Sequence, residues 1–281
     1  NIPASIRKPG KYFEFNTKLA VRTLATNPQT VLIVAQKTAD GTATENVPVQ
    51  GFDTDTAGKL FGFGSQAASM VKAAMRAYSY VDLSVLPIAD DSAGIAASGS
   101  LKLTGDATAQ GVLTLTIADT EISVAAAAED SAEALATALA TAVNGERDLP
   151  VTAQAATGTV TLTAKNKGTL GNGIVLSYVC TVPGITPTLT KMAGGQKDPD
   201  IAEALTAVFA ADYTIYCVPW AVQAPLTALR EHLDNIGGPM EQRGAIGVYA
   251  STGTLSAATT LAGQLNAGRI TGALLPGSTT P

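Results

Sequence analysis

Apolar and polar residues follow two different rhythms along this chain. From Thr30, TVLIVAQ (30–36) is an unbroken apolar run, the pattern of a strand covered on both faces. Residues 42–52 are polar and loop-like. FGFGSQAASMVKAAMRAY (61–78) then predicts a helix with Ser65 as N-cap and Val71, Met75 and Tyr78 on one face. DLSVLPI (82–88) predicts the next strand. The same rhythm returns after Gly194-Gly195. Asp198 as N-cap and Pro199 at the first helical position open a helix with the stripe Ile201, Leu205, Val208 and Phe209. YTIYCV (213–218) predicts a strand. Pro225 opens a helix carrying Leu226, Leu229, Leu233 and Ile236, and Gly237-Gly238 end it. AIGVYA (245–250), a helix over 255–267 and RITGALL (269–275) complete the series. Alternating continuous apolar strands and helices predict a parallel sheet with right-handed crossovers.

Residues 94–195 follow the other rhythm. SLKLTG, VLTLTIAD, EISVAAA, VTAQAA, TVTLTA and IVLSYVC read as short strands separated by Gly, Asp and Asn turns. One helix, Ser131–Asn144, interrupts them, with Asp130 and Glu133 at capping-box spacing and Gly145 as its stop. This stretch holds one aromatic residue, Tyr178, and the rest of the chain holds thirteen. The predicted fold class is therefore α/β. A discontinuous, mainly parallel-sheet core domain (21–93 and 196–281, its second part incomplete) carries an inserted, mostly antiparallel β domain with one helix (94–195). Residues 1–20 read as an N-terminal arm. Pro3 and Pro9 disfavour helix there, and Tyr12, Phe13 and Phe15 form a short strand-like run beside charges. Such a strand either joins its own sheet or pairs with a neighbouring chain's edge.

Composition narrows the function. The 281 residues carry 18 Lys and Arg against 23 Asp and Glu, and only 15% are charged, against about 25% in an average globular chain. Ala, Thr and Gly make up 112 positions. Lys and Arg do not cluster beyond Arg7-Lys8, so no nucleic-acid partner is expected. The longest apolar stretches fall short of the ~18 residues that a spanning helix takes, so no membrane insertion is expected. NIPASIRKPG lacks the apolar stretch of a signal peptide. A mean hydropathy of +0.21 opposes disorder. Cys180 and Cys217 read as buried free thiols.

Candidate chemistry is sparse. A Ser-His-Asp triad would need His232, the only histidine, which falls between Glu231 and Leu233 and reads as a solvated helix residue. There is no GxSxG motif. FGFGSQ (61–66) looks like a phosphate loop entering a helix, but no Lys follows Gly64, and Ala67 stands where a GxGxxG needs glycine. Backbone freedom before a capped helix is the simpler role. KGTLGNG (167–173) reads as a turn between strands. The pairs Asp90-Asp91 and Asp53/Asp55 do not form a calcium-loop series, and the spacing of Cys180, Cys217 and His232 matches no zinc pattern. No residue is assigned a catalytic, cofactor or metal role, and no cofactor is expected. The chain reads as built for packing.

Several segments resemble the tail sheath protein of Mu-like contractile-tailed bacteriophages. They are IPASIRKPGKYFEFNT, NPQTVLIVAQKT, LFGFGSQAASMVKAAMRA, DLSVLPIAD, the stretch from LTGDATAQGVLTLTIADTEISVA through TVTLTAKNKGTLGNGI, and DYTIYCVPW. The resemblance spans essentially the whole chain. It implies a core that is subtilisin-like in fold only, with the β domain inserted in it. It also implies a homo-oligomer of stacked hexameric rings around a tail tube protein, ended by a baseplate and a tail terminator. Such a subunit belongs to the virion tail after assembly in the host cytoplasm, and its sheath contracts to drive the tube through the envelope. Family members continue past the last residue here, so this chain is expected to be a monomeric core fragment. Subunits of the family are joined by arms. The resemblance places the N-terminal arm at Tyr12, Phe13, Glu14 and Phe15, with Pro9-Gly10 as hinge. Two other classes stay open on the residues alone. A hydrolase would lose activity on His232→Ala, and a surface-binding module would bind ligand through the isolated β domain.

Overall fold

The structure, a computed structural model, describes residues 29–276 and 278. The expected arm residues Pro9, Gly10, Tyr12, Phe13, Glu14 and Phe15 lie outside the described residues. The first block comprises β1 (Thr30–Gln36), β2 (Val49–Gln50), α1 (Thr54–Phe61), α2 (Gln66–Ala77) and β3 (Asp82–Ile88). The middle block comprises β4 (Ala96–Thr104), β5 (Gly111–Ile117), β6 (Thr120–Ala126), α3 (Ala132–Gly145), β7 (Val151–Ala156), β8 (Thr159–Lys167), β9 (Leu176–Cys180) and β10 (Thr186–Ala193), with a 3-10 turn at Thr169–Gly173. The last block comprises α4 (Ala202–Ala207), β11 (Ile215–Cys217), α5 (Gln223–Ile236), β12 (Ile246–Ser251), α6 (Leu255–Leu265) and β13 (Ile270–Leu274).

The first and last blocks build one six-stranded sheet in the order β13-β12-β11-β1-β3-β2, parallel except for β2. Strand alternation explains why β1 is apolar throughout. Leu32 and Val34 join Leu86, Tyr216 and the α5 residues Leu226, Leu229 and Leu233 on one face. Ile33 and Ala35 join Val85, Phe61 and Val71 on the other. Helices therefore cover both faces. Pro87 is tolerated in β3 because β2 pairs only with Val85 and Ser84, so no ladder bond is lost at the proline.

Residues 96–193 form two antiparallel sheets, β10-β4-β8-β7 and β6-β5-β9. Their core is aliphatic, with Leu101, Leu113, Leu115, Leu139 and Leu162 fully buried and α3 packed in by Leu135, Leu139 and Val143. Outward positions carry hydroxyls. Thr186 faces Thr104, Thr190 faces Ser100, and Thr161 lies opposite Ser100 and Gln154. Much of the chain's threonine thus sits on exposed β surface, where β-branched residues fit best.

Two cap assignments differ from the sequence reading. Ser131, not Asp130, caps α3 by accepting from Ala134 N, while Asp130 accepts from Ala127 N. Asp198 does not cap the following helix. Its carboxylate accepts instead from the backbone and hydroxyl of Thr169, and the helix shortens to Ala202–Ala207. A long-range partner outcompeted the local one at Asp198, whereas Asp130 is held by Ala127 N, three residues before it.

The burial pattern sets a stability contrast. Leu86→Ala, in the middle of β3, is expected to cost about 2–5 kcal/mol, and Leu255→Ala, 67% exposed on α6, less than about 0.5 kcal/mol. Urea unfolding of the two variants checks the contrast.

Candidate functional site

Open parallel sheets place ligands at the carboxyl ends of their strands, where strand order reverses. Here that point falls between β1 and β11, because the chain runs outward from β1 to β3 and from β11 to β12 and β13. Gln36 ends β1, Asp90 follows β3, and the Gly62–Ser65 loop leads into α2 beside them.

The polar groups at the ends of β1 and β3, on one side of this point, find their partners within the chain. Asn166, near the end of β8, accepts from Gln66 N at 2.9 Å and donates to the Lys37 carbonyl at 3.0 Å and to Asp90 Oδ1 at 3.1 Å. Asp90 also accepts from Gln36 Nε2 at 2.7 Å and Lys167 N at 3.0 Å. Gln36 Nε2 donates further to the Lys167 carbonyl. Gln36 is wholly buried, and its Oε1 has no protein partner.

The glycine-rich loop has its role here. Gly62 and Gly64 take positive φ, +89° and +74°. A Cβ at Gly64 would sit 2.0 Å from the Leu149 carbonyl oxygen, so only glycine fits. Ser65 Oγ accepts from Ala68 N, capping α2, and Asn166 takes the next free donor, Gln66 N. Lys165 Nζ lies beside the loop and donates to the Phe63 and Arg147 carbonyls, and burial lowers its pKa. The helix donors Gln66 N and Ala68 N are thus satisfied by side chains of the chain itself, at the place where a phosphate would bind.

The remaining candidates resolve individually. Asp53 caps α1 through Thr56 N, and Asp55 pairs with Lys59. Asp91 accepts from Ala93 N and lies 4.0 Å from Lys197 Nζ. Among the described residues no group of His, Cys, Asp or Glu could hold a metal ion, and no helix is long and apolar enough to cross a membrane. Cys180 and Cys217 are free and half-buried, and burial raises the Cys217 thiol pKa.

His232 is a correction. It is not solvated but 8% exposed, packed edge-on against Tyr216 and Phe209. Its Nε2 shares a hydrogen bond of 3.2 Å with the Tyr216 hydroxyl. Burial, assisted by Arg243, pulls its pKa down to about 4, and burial pushes Tyr216 up to about 12. The Arg243 guanidinium itself donates to the Phe209 and Ala211 carbonyls and pairs with Glu241. This ring is a core element. Its described contacts, the Tyr216 hydroxyl and the Tyr216 and Phe209 rings, are not those of a catalytic relay.

Among the described residues, no strand pairs with the outer edges of the sheet. β13 forms one edge with mostly exposed residues, and α6 beside it buries only Leu265. Leu255 and Leu275 are exposed there. Tyr78 and Tyr80 form an exposed edge-to-face pair before β3.

Together these features define a class: an α/β protein whose glycine loop and neighbouring strand ends are bonded within its own chain. The chain is similar in sequence to a tail sheath protein of a Mu-like prophage. It is 35% identical, over 271 residues, to the Mu-like prophage FluMu tail sheath protein of Haemophilus influenzae. That match takes in 95% of this chain and 56% of the relative, so the chain spans little more than half the relative's length. The relative is a structural protein of a phage tail, not an enzyme. Solved sheath tail proteins from Desulfitobacterium hafniense and Listeria innocua match at 12% and 13% identity with TM-scores of 0.35 and 0.31. They take in 94% and 82% of this chain, and 55% and 49% of their own. No protein-family profile matches.

The buried imidazole makes stability depend on pH with a defined sign. The unfolded chain binds a proton near pH 6.5 and the folded chain near pH 4, so the contribution is complete above pH 6.5 and is lost as pH falls toward 4. By pH 4 the loss amounts to about 3 kcal/mol. Urea midpoints measured from pH 7.5 to 4 should fall more steeply for the native chain than for His232→Gln. Parallel curves would contradict the assignment.

Proposed function

We propose that this chain is the core of a contractile phage tail sheath subunit. The observation that carries this reading is the 35% identity to a Mu-like tail sheath protein along 95% of the chain. In this reading the complete subunit polymerises as stacked hexameric rings around a tail tube protein, between a baseplate and a tail terminator. It assembles in the host cytoplasm and remains in the virion tail. Contraction drives the tube through the host envelope so that DNA can leave the virion. The 281-residue chain alone is a monomer.

The mechanism is physical. Residues 1–20 form the arm, 21–93 and 196–281 the subtilisin-like core, and 94–195 the inserted domain, which faces outward. The arm adds a strand to a neighbouring subunit through Tyr12, Phe13, Glu14 and Phe15, and Pro9-Gly10 lets it swing. Backbone hydrogen bonds between strands hold the lattice with little dependence on side-chain identity. Contraction is then a rigid-body change between two packings, driven by greater core-to-core burial.

Deleting residues 1–15 from the gene product that contains this sequence tests the arm. Sedimentation and electron microscopy should find no polymers, while circular dichroism keeps the folded spectrum. Normal sheaths from the deletion would remove the arm from the account.

A further inference from the structure

The contacts between the 96–193 segment and the six-stranded sheet are more than two connecting loops require. We infer that Lys165, Asn166 and Lys167 act as a latch, received by Asp90, that couples the segment and the sheet into one cooperative folding unit. The inference does not depend on the sheath reading.

The argument starts from where the bonds run. Asn166 spends its whole side-chain amide on groups that are otherwise separate: a carbonyl after β1, the first amide of α2, and the carboxylate after β3. Asp90 gathers donors from Gln36, Asn166 and Lys167. Hydrogen bonds to an ionised carboxylate are stronger than those between neutral groups, and stronger still away from water. A second polar clamp closes the other connection. Asp198 holds Thr169, Asn172 pairs with both backbone groups of Gly195, and Ile95 bridges Gln196.

The junction also has apolar and ionic parts. Leu170, in the turn after the latch, packs against the buried cluster that holds Leu32 and Trp220. The Arg147 guanidinium lies 4.6 Å from the centre of the Phe63 ring. Lys72 on α2 pairs with Asp148 at 2.6 Å. Opening the junction would break the bonds that converge on Asp90 and Gln36 and expose Leu170 and the apolar surface it covers to water, so partial opening is costly relative to unfolding both units together.

Calorimetry of the 281-residue chain tests this. The native chain should melt in one transition with equal calorimetric and van't Hoff enthalpies. Asn166→Asp keeps the acceptor for Gln66 N but sets a second carboxylate against Asp90, and should split the melt into two transitions. Asp91→Ala, which removes only a loop contact and a long ion pair, should keep one. Two transitions in the native chain would overturn the latch, and so would an unchanged single transition in Asn166→Asp. Should that variant fail to fold, native-state hydrogen exchange on the unaltered chain decides. Slowest-exchanging amides of β4 and β8 that open together with those of β1 and β3 support the latch. A separate, easier opening of the 96–193 segment refutes it.

Discussion

The structure depends on how the carboxyl-terminal edge of its parallel sheet is closed. A sheet covered by helices on both faces still exposes polar backbone where its strands end, and a strand-order reversal leaves a crevice there. In this chain the groups beside it, at the ends of β1 and β3 and at the α2 entry, are bonded from within by Asn166, Lys165 and Asp90. That one junction satisfies the α2 entry, fixes the glycine loop and brings the 96–193 segment against the sheet. The feature that most resembles a nucleotide site is thereby an internal contact.

The sequence was legible wherever the signal was local. The unbroken run at Thr30–Gln36, the Ser65 cap and the alternating strands before Lys165 each express their own neighbourhood, and each forms as its pattern predicts. The two-sheet arrangement of 96–193 was not legible, because alternation tells a strand its faces but not its partners. The cap at Asp198 failed for the related reason that a distant donor, Thr169, claimed its carboxylate, while at Asp130 a neighbouring turn amide did so and left the cap to Ser131.

Two residues carry a sharper lesson. His232 stands three positions after Leu229 and four before Ile236, so its spacing put it on the apolar stripe, and its residue type alone suggested solvent. Periodicity was the better guide than polarity. Asn166 was missed because its three partners are contributed by three distant stretches of chain. The only hint was that alternation stops at Lys165–Lys167, where three consecutive polar residues are all half-buried.

What remains is a scaffold whose sheet edges are paired by no described strand, similar over 95% of the chain to a tail sheath protein of which it spans 56%. We propose that such a chain acts through packing between copies rather than through a reacting group. Negative-stain electron microscopy of the gene product that contains this sequence, beside the 281-residue chain, tests that claim most directly. Striated tubes from the gene product and monomers from this chain are the predicted result. Monomers from both would contradict the account.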